Sequence, residues 1–490
     1  MSSKSFDIVL ISIGNGINLV VNFLTVPFLV RILSYDDYGS YGQVLIIVNL
    51  LKEIFAYCLN LVCNSYYAKK EYPSEMLFSN VMTILGGLAF LAVLLMGCIS
   101  PIVAHSLKND QLESLLYISL VNLLFQIPFP VLFSTLVYFG YASRASAIMV
   151  ISNLLRIILM LVSIQVYQSV WVLMLSLSIA SFLQFLFFFL AVPSSLRKFS
   201  YPDKKLIAML MITSSPLVLT ALFERAVYYI DGLMISAMTT TKEYAFYRAG
   251  AFEVPFISSM FGFVSIVVMP ELAKLYITRD FKRIIELKRK AISYAAFITY
   301  PIFIYLLFFS QPLVTFYLSP KYAPSAIIFT IFCFSLLLRI NDYQDIIITF
   351  GRIRLLFYNM IWMVALNIII NYILIKLYGI EGSAVAFILH LLVFAVVLSW
   401  FNSKILGCNM SDIYNFSLLV KTLLISLILV FPVWILHNWV FTSIWFLIIA
   451  APFYALIVYY IGFKVKVADP EIFFQIFQRI PLLNKIYKKH

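Results

Sequence analysis

Five basic side chains fall where the chain is otherwise apolar. Lys52, Arg156, Arg225, Arg248 and Arg339 lie within long runs of Leu, Ile, Val and Phe rather than in the charged breaks between them. A cation at mid-bilayer costs about 2.5 to 3.5 kcal/mol on insertion scales, so it faces a cavity or a partner. Such a set suits anion binding, because a guanidinium grips phosphate oxygens through two parallel N–H donors. Local pairing is the competing account: Lys52 adjoins Glu53, Arg225 adjoins Glu224, and Arg339 precedes Asp342 by three residues. Arg156 has no acid in its own run.

The acids within apolar runs are Glu53, Glu224, Asp231, Glu253, Asp342 and Asp345. Glu224, Tyr228 and Asp231 are spaced i, i+4, i+7 and share one helical face, where a proton or sodium ion could load and drive exchange. Glu53 and Asp342 are the other coupling candidates, and a structural ion pair is the alternative for each. Asn15, Asn18 and Asn22 also share a face, suited either to sugar hydroxyls or to interhelical hydrogen bonds worth about 1 kcal/mol each. Asn367 and Asn371 read as interhelical bonds of that kind. Most aromatic residues are Phe within the runs, and Tyr near their ends is expected of an interfacial belt. No HExxH, GxGxxG, P-loop or CxxC spacing occurs, so no metal or nucleotide cofactor is expected, beyond a coupling H+ or Na+.

The elements that hold these residues follow from composition. Of 490 residues, 63% are hydrophobic and 12% charged, far from the roughly 45–50% apolar and about 25% charged of a soluble domain. Continuous apolar runs of about 20 residues recur throughout, long enough to cross about 30 Å of hydrocarbon as helices. The fold class is all-α: a polytopic membrane protein with fourteen transmembrane helices. Their expected limits are 7–31, 40–65, 77–104, 114–140, 145–167, 170–193, 207–237, 246–270, 291–316, 324–349, 355–377, 380–402, 415–437 and 443–463. The first is an uncleaved span, since a charged Arg31 segment follows it instead of a small-residue cleavage site.

Alternate connections differ sharply in charge. One set, with both termini, carries 24 Lys and Arg, including Lys288, Arg289 and Lys290 in the connection at 271–290; the other carries only Arg31, Lys108, Lys242 and Lys321. Basic residues are retained in cytoplasmic loops, so both ends are expected in the cytoplasm. The net charge of +13 then faces anionic lipid and implies no nucleic acid. The expected organisation is an N-lobe over 1–193, a basic cytoplasmic linker at 194–206 and a C-lobe over 207–402. Two further helices follow over 403–463, and a cytoplasmic tail over 464–490.

Several stretches, in order, resemble the polysaccharide-transport branch of the multidrug/oligosaccharidyl-lipid/polysaccharide (MOP) exporter superfamily. They are Asn22-Phe-Leu-Thr-Val-Pro-Phe-Leu-Val-Arg-Ile-Leu-Ser-Tyr-Asp-Asp-Tyr-Gly; Ser214-Ser-Pro-Leu-Val-Leu with Tyr229-Ile-Asp-Gly-Leu-Met-Ile and Glu243-Tyr-Ala-Phe-Tyr-Arg-Ala; Pro320-Lys-Tyr-Ala-Pro-Ser-Ala; and Asn367-Ile-Ile-Ile-Asn-Tyr through Gly379-Ile-Glu-Gly-Ser-Ala-Val-Ala. Ala245 departs from the pattern, which often has Gly there. The resemblance implies a V-shaped fold of two six-helix lobes plus two helices. It also implies an O-antigen or capsule-type flippase for an undecaprenyl-diphosphate-linked oligosaccharide, working in the bacterial inner membrane among its lipids and alongside polysaccharide polymerase machinery. Asp231 matches a recurrent acid of the seventh helix.

Two other classes compete. A membrane glycosyltransferase or O-antigen polymerase would use an acidic pair such as Asp36-Asp37, but needs a sizeable outer loop, and every outer loop here is short. A cation-coupled multidrug exporter of the same superfamily would carry fewer deep cations, because its substrates are positive.

Overall fold

The computed structural model describes residues 16, 23–56, 59–198, 200–252 and 268–469, without the side chains of 216, 217 and 219–228. The chain packs as two compact units, Met1–Arg248 and Ala249–His490.

In the first unit α1 (Phe23–Ile32) leads into α2 (Tyr35–Ala56) and α3 (Leu59–Lys69), followed by α4 (Ser74–Ser106), α5 (Asp110–Gln126) and α6 (Phe129–Tyr138). Then come α7 (Ala142–Tyr167), α8 (Val170–Ala191), α9 (Lys204–Met238) and α10 (Thr241–Gly250). Their starts are written in capping side chains. Ser34 Oγ accepts from the Asp37 backbone N–H and donates to the Asp37 carboxylate, at 3.0 and 2.7 Å, so the first acid pair opens α2 as a cap. Asn109 accepts from the Gln111 N–H to start α5, and Asp203 from Lys205 and Leu206 to start α9.

Within this unit α5 packs on α4, α8 and α2, and α9 lies on α2, α3 and α4. A core of Phe78, Leu132, Leu136, Ala145 and Phe188 joins α4, α6, α7 and α8. The segment between α8 and α9 is tied down: the Ser200 N–H donates to Ser79 Oγ at 3.1 Å, and the Asp203 N–H to Asn80 Oδ1 at 2.8 Å.

The second unit holds α11 (268–277), α12 (Phe281–Tyr317), α13 (Ser325–Cys333), α14 (Ser335–Leu338) and α15 (Asp345–Thr349). It continues with α16 (Ile353–Leu406), α17 (Met410–Ile413), α18 (Phe416–Trp439) and α19 (Ile444–Lys464). Its centre is α12, whose most apolar stretch is 78% buried, against 17% for α19. Leu456, Phe453 and Ile449 on α19 and Ile428 on α18 are exposed, the all-round apolar surface of helices that face lipid.

Among the described residues nine helices are long and apolar enough to span a bilayer, which makes this a multi-pass membrane protein. The expected first and eighth spans lie largely outside the described residues. α16 contains two expected spans: Gly379, at φ 60° and ψ −136°, turns the chain where 355–377 gives way to 380–402. That conformation suits a residue without a Cβ. Ser383 Oγ donates to Asn371 Oδ1 at 2.7 Å across the turn, so Asn371 does fasten neighbouring segments.

The structure adds detail to one connection and corrects one span. The connection at 271–290 is mostly helix, because α11 and the first turns of α12 occupy it and Asp280 caps α12 through the Arg283 N–H. The span expected as one helix over 324–349 is broken. It runs as α13 and α14, unwinds from Arg339 to Gln344 and resumes as α15. Five polar residues within 339–345 provide local hydrogen-bond partners that a continuous helix would leave unused.

Candidate functional site

α2 presents Tyr38, Tyr41 and Gly42 on one side of its first turns, and α10 presents Tyr244 and Arg248 four residues apart, hence on one face. The two surfaces meet. The Arg248 guanidinium carbon lies 5.9 Å from the centre of the Tyr41 ring. Its charge also acts on the hydroxyls of Tyr38 and Tyr244. Tyr38 and Tyr244 are almost wholly buried, and Arg248 Nε is buried with no hydrogen-bond partner. Gly42 makes the approach possible: a Cβ there would stand 2.3 Å from Arg248 Cδ and 2.9 Å from Tyr244 Cε1. Around this contact Tyr35 packs on Phe246 at 5.1 Å, and Lys242 lies over Tyr35 at 5.0 Å. The motif stretches around Tyr35 and around Tyr244 are therefore docked on each other.

Arg156, half-buried on α7, lies close enough for its charge to act on the Tyr41 hydroxyl. The charges of two of the five deep cations thus act on one tyrosine. The result is a cationic site walled by phenol rings and held within the first unit. Repulsion between two guanidinium groups falls when an anion sits between them, so the arrangement favours a ligand with two or more negative oxygens.

The base of α2 is pinned by neutral polar side chains. Asn109 Nδ2 donates to Ser40 Oγ at 2.7 Å and to Gln43 Oε1 at 2.5 Å, and Gln43 Nε2 donates to Ser236 Oγ at 2.7 Å. All four residues are buried, which fixes α2 against the start of α5 and the end of α9.

Lys52 lies three turns beyond Tyr41 on α2, about 16 Å at 1.5 Å per residue. Its ammonium donates to Asn49 Oδ1 at 3.1 Å and to Gln126 Oε1 at 3.5 Å, and Gln126 donates on to Ser181 Oγ at 3.2 Å. Lys52 is thus braced by amides on α2 and α5, with Glu53 half-buried beside it. Asp231 is buried on α9. Arg339 closes α14, half-buried, and the Asp342 carboxylate accepts from the Gln344 N–H at 3.1 Å; both belong to the second unit. The side chains of Glu224, Arg225 and Tyr228, and residues Asn15, Asn18, Asn22 and Glu253, lie outside the described residues.

One charged pair escaped the sequence reading. Lys288, counted there among loop cations, is buried on α12 and meets Asp345 Oδ2 at 2.6 Å. The signal was present: Ile284, Lys288 and Ile292 are spaced i, i+4, i+8, so Lys288 lies on the apolar stripe of α12. The tyrosines were likewise assigned to an interfacial belt, although Tyr244 and Arg248 are one helical turn apart. Among the described residues no group of His, Cys, Asp and Glu is arranged to hold a metal ion.

Comparison with known proteins bears on the family and the fold. A family model described as Polysaccharide biosynthesis protein matches residues 28–327. The fold is similar to a solved structure of the lipid II flippase MurJ in an inward closed conformation, with TM-score 0.74 and 17% identity over 94% of this chain and all of that one. It is also similar to an inward-facing multidrug resistance MATE family transporter of the MOP superfamily, with TM-score 0.62 and 14% identity over 82% of this chain and 98% of that one. A third similar structure is a MOP superfamily transporter from Pyrococcus furiosus, with TM-score 0.55 and 12% identity over 81% and 94% of the two chains. No curated protein matches the chain in sequence.

Proposed function

Because the chain belongs to the polysaccharide biosynthesis protein family and has the fold shared by MurJ and the MOP transporters, we propose that it is a flippase for a lipid-linked oligosaccharide. The substrate is a polyprenyl-diphosphate carrying an O-antigen or capsule-type repeat unit, moved from the cytoplasmic to the outer leaflet of a bacterial inner membrane. Both chain ends face the cytoplasm, as the charge asymmetry of the connections favours. Solved structures of the same fold include inward-facing and outward-facing forms, which supports alternating access between two halves.

The observation that carries this reading is that Arg248 lies over the Tyr41 ring and the charge of Arg156 acts on the same tyrosine. A diphosphate supplies the negative oxygens that two guanidinium groups seek, and phenol hydroxyls donate to phosphate oxygens that remain. A cationic drug would be repelled from the same place, which favours the flippase over the multidrug exporter. Lys52 offers a second anchoring point deeper along α2, and Arg225 and Arg339 remain candidates for a path through the protein. Asn15, Asn18 and Asn22 remain candidates for sugar hydroxyls. Asp231 is the acid best suited to coupling by H+ or Na+, being buried on a helix that packs on α2; Glu53, Glu224 and Asp342 are the alternatives.

The test is surface polysaccharide in a strain lacking the native protein, complemented with Arg156→Ala or Arg248→Ala at matched membrane levels. Display is expected to fall with either. Full display with both variants would overturn the assignment.

A further inference from the structure

The ammonium of Lys288 has three acceptors, and all of them come from the stretch where the second unit's broken helix unwinds. Asp345 Oδ2 lies at 2.6 Å, Asn341 Oδ1 at 2.5 Å and the backbone carbonyl oxygen of Asp342 at 3.0 Å. An ammonium has three N–H donors, so none is left over. The side chains of Lys288 and Asp345 are 3% and 2% exposed.

The oxygens are held in place independently of Lys288. The other carboxylate oxygen of Asp345 accepts from the Ile346 N–H at 2.7 Å. Asn341 Nδ2 donates to the Tyr414 hydroxyl at 3.0 Å, which turns its carbonyl toward the lysine, and Tyr414 is bonded in turn to Ser399 at 2.6 Å. The break frees the Asp342 carbonyl from the helix ladder and aims it inward. One carboxylate, one amide oxygen and one unwound backbone carbonyl around a single positive charge make a donor set of the kind that coordinates alkali cations in transporters with interrupted helices. Asp345 contributes one buried negative charge to the three oxygens, which suits a monovalent ion; the half-buried Asp342 carboxylate acts on Asp345 from nearby and accepts from the Gln344 N–H.

We propose that residues 341–345 form a monovalent-cation site and that Lys288 fills it as a tethered cation, in place of a free Na+ or K+. This goes beyond the flippase reading and does not rest on it. The consequence is that the second unit loads no alkali ion at its helix break, so ion coupling, where it occurs, is carried by other acids.

The experiment uses the purified full-length protein in detergent, with melting followed in NaCl, KCl and choline chloride at equal ionic strength and over a range of pH. Wild type is expected to melt at the same temperature in all three salts. Lys288→Ala is expected to melt lower in choline and to regain stability saturably with sodium or potassium, and Lys288→Ala/Asp345→Asn to show no such response. If Lys288→Ala is recovered only from cells grown in sodium- or potassium-rich medium, the ion dependence of its yield, compared with the double variant, supports the site equally. The proposal is overturned if Lys288→Ala regains stability only on acidification, which would mean that a proton suffices. It is also overturned if the single variant fails in every medium while the double variant folds, or if it folds with no alkali response.

Discussion

Arg248 stands 5.9 Å from the ring centre of Tyr41 across the contact between α10 and α2, and Arg156 acts on the same tyrosine from α7. Charges from two segments far from Tyr41 in sequence thereby act on one phenol. A lysine at position 248 keeps the charge but loses the planar fork. Arg248→Lys is therefore expected to support less surface polysaccharide than wild type, and Arg248→Ala less still. A charge-assisted hydrogen bond is worth about 1.5 to 3 kcal/mol, or about tenfold to a hundredfold in transport rate. Equal display by Arg248→Lys and wild type would show that bidentate geometry is irrelevant there.

Gly42 and Gly39 separate function from folding. A methyl at Gly42 meets the flexible Arg248 side chain at 2.3 Å, whereas a methyl at Gly39 meets the Thr241 backbone oxygen at 2.4 Å. Side chains give way more readily than backbone. Gly42→Ala is expected to reach the membrane at near-normal level with reduced transport, and Gly39→Ala to be depleted from it. Immunoblots of membrane fractions set beside polysaccharide display distinguish the two; matched loss of protein in both variants would refute the distinction.

The amide of Asn109 holds Ser40 and Gln43 and, through Gln43, Ser236. Asn109→Ala leaves buried polar atoms of Ser40 and Gln43 without that partner, at about 1 to 3 kcal/mol for each group left unsatisfied. The purified variant is expected to melt several degrees lower than wild type. An unchanged melting temperature would mean that water or neighbouring groups replace the amide.

Orientation is read by thiol labelling in a cysteine-free background. Lys242→Cys is expected to react with a membrane-impermeant maleimide in intact cells, and Lys205→Cys only after the membrane is opened; both positions are exposed. The reverse pattern would invert the topology proposed for the chain ends.

Cys408, between α16 and α17, offers a pH readout. Burial first, and then the negative charge of Asp412, raise its thiol above the ordinary value. The thiolate is the reactive form, so at neutral pH less of it is present than for an unperturbed thiol. Alkylation of Cys408 in opened membranes is expected to be slow at neutral pH and to keep accelerating above the ordinary thiol range. A rate that levels off at the ordinary value would show an unperturbed thiol.

The membrane class, the helices and many of their limits were legible in residue order, because hydropathy, caps and breaks act over one or two turns. Gly379 separates two spans at the place where the apolar run is interrupted, and Ser34, Asn109 and Asp203 start helices that their own side chains cap. The same locality marked Lys52, Arg156 and Arg248 as cations out of place. What local order did not contain was company. Whether Arg156 faces Tyr41, or Lys288 finds Asp345 fifty-seven residues away, depends on which helix faces turn inward and on where a span unwinds. Those choices minimise buried charge and unpaired backbone over a whole unit, so only the tertiary structure decided them. A lysine counted as a loop cation became an ion-pair partner for that reason, and two scattered arginines came to act on one tyrosine.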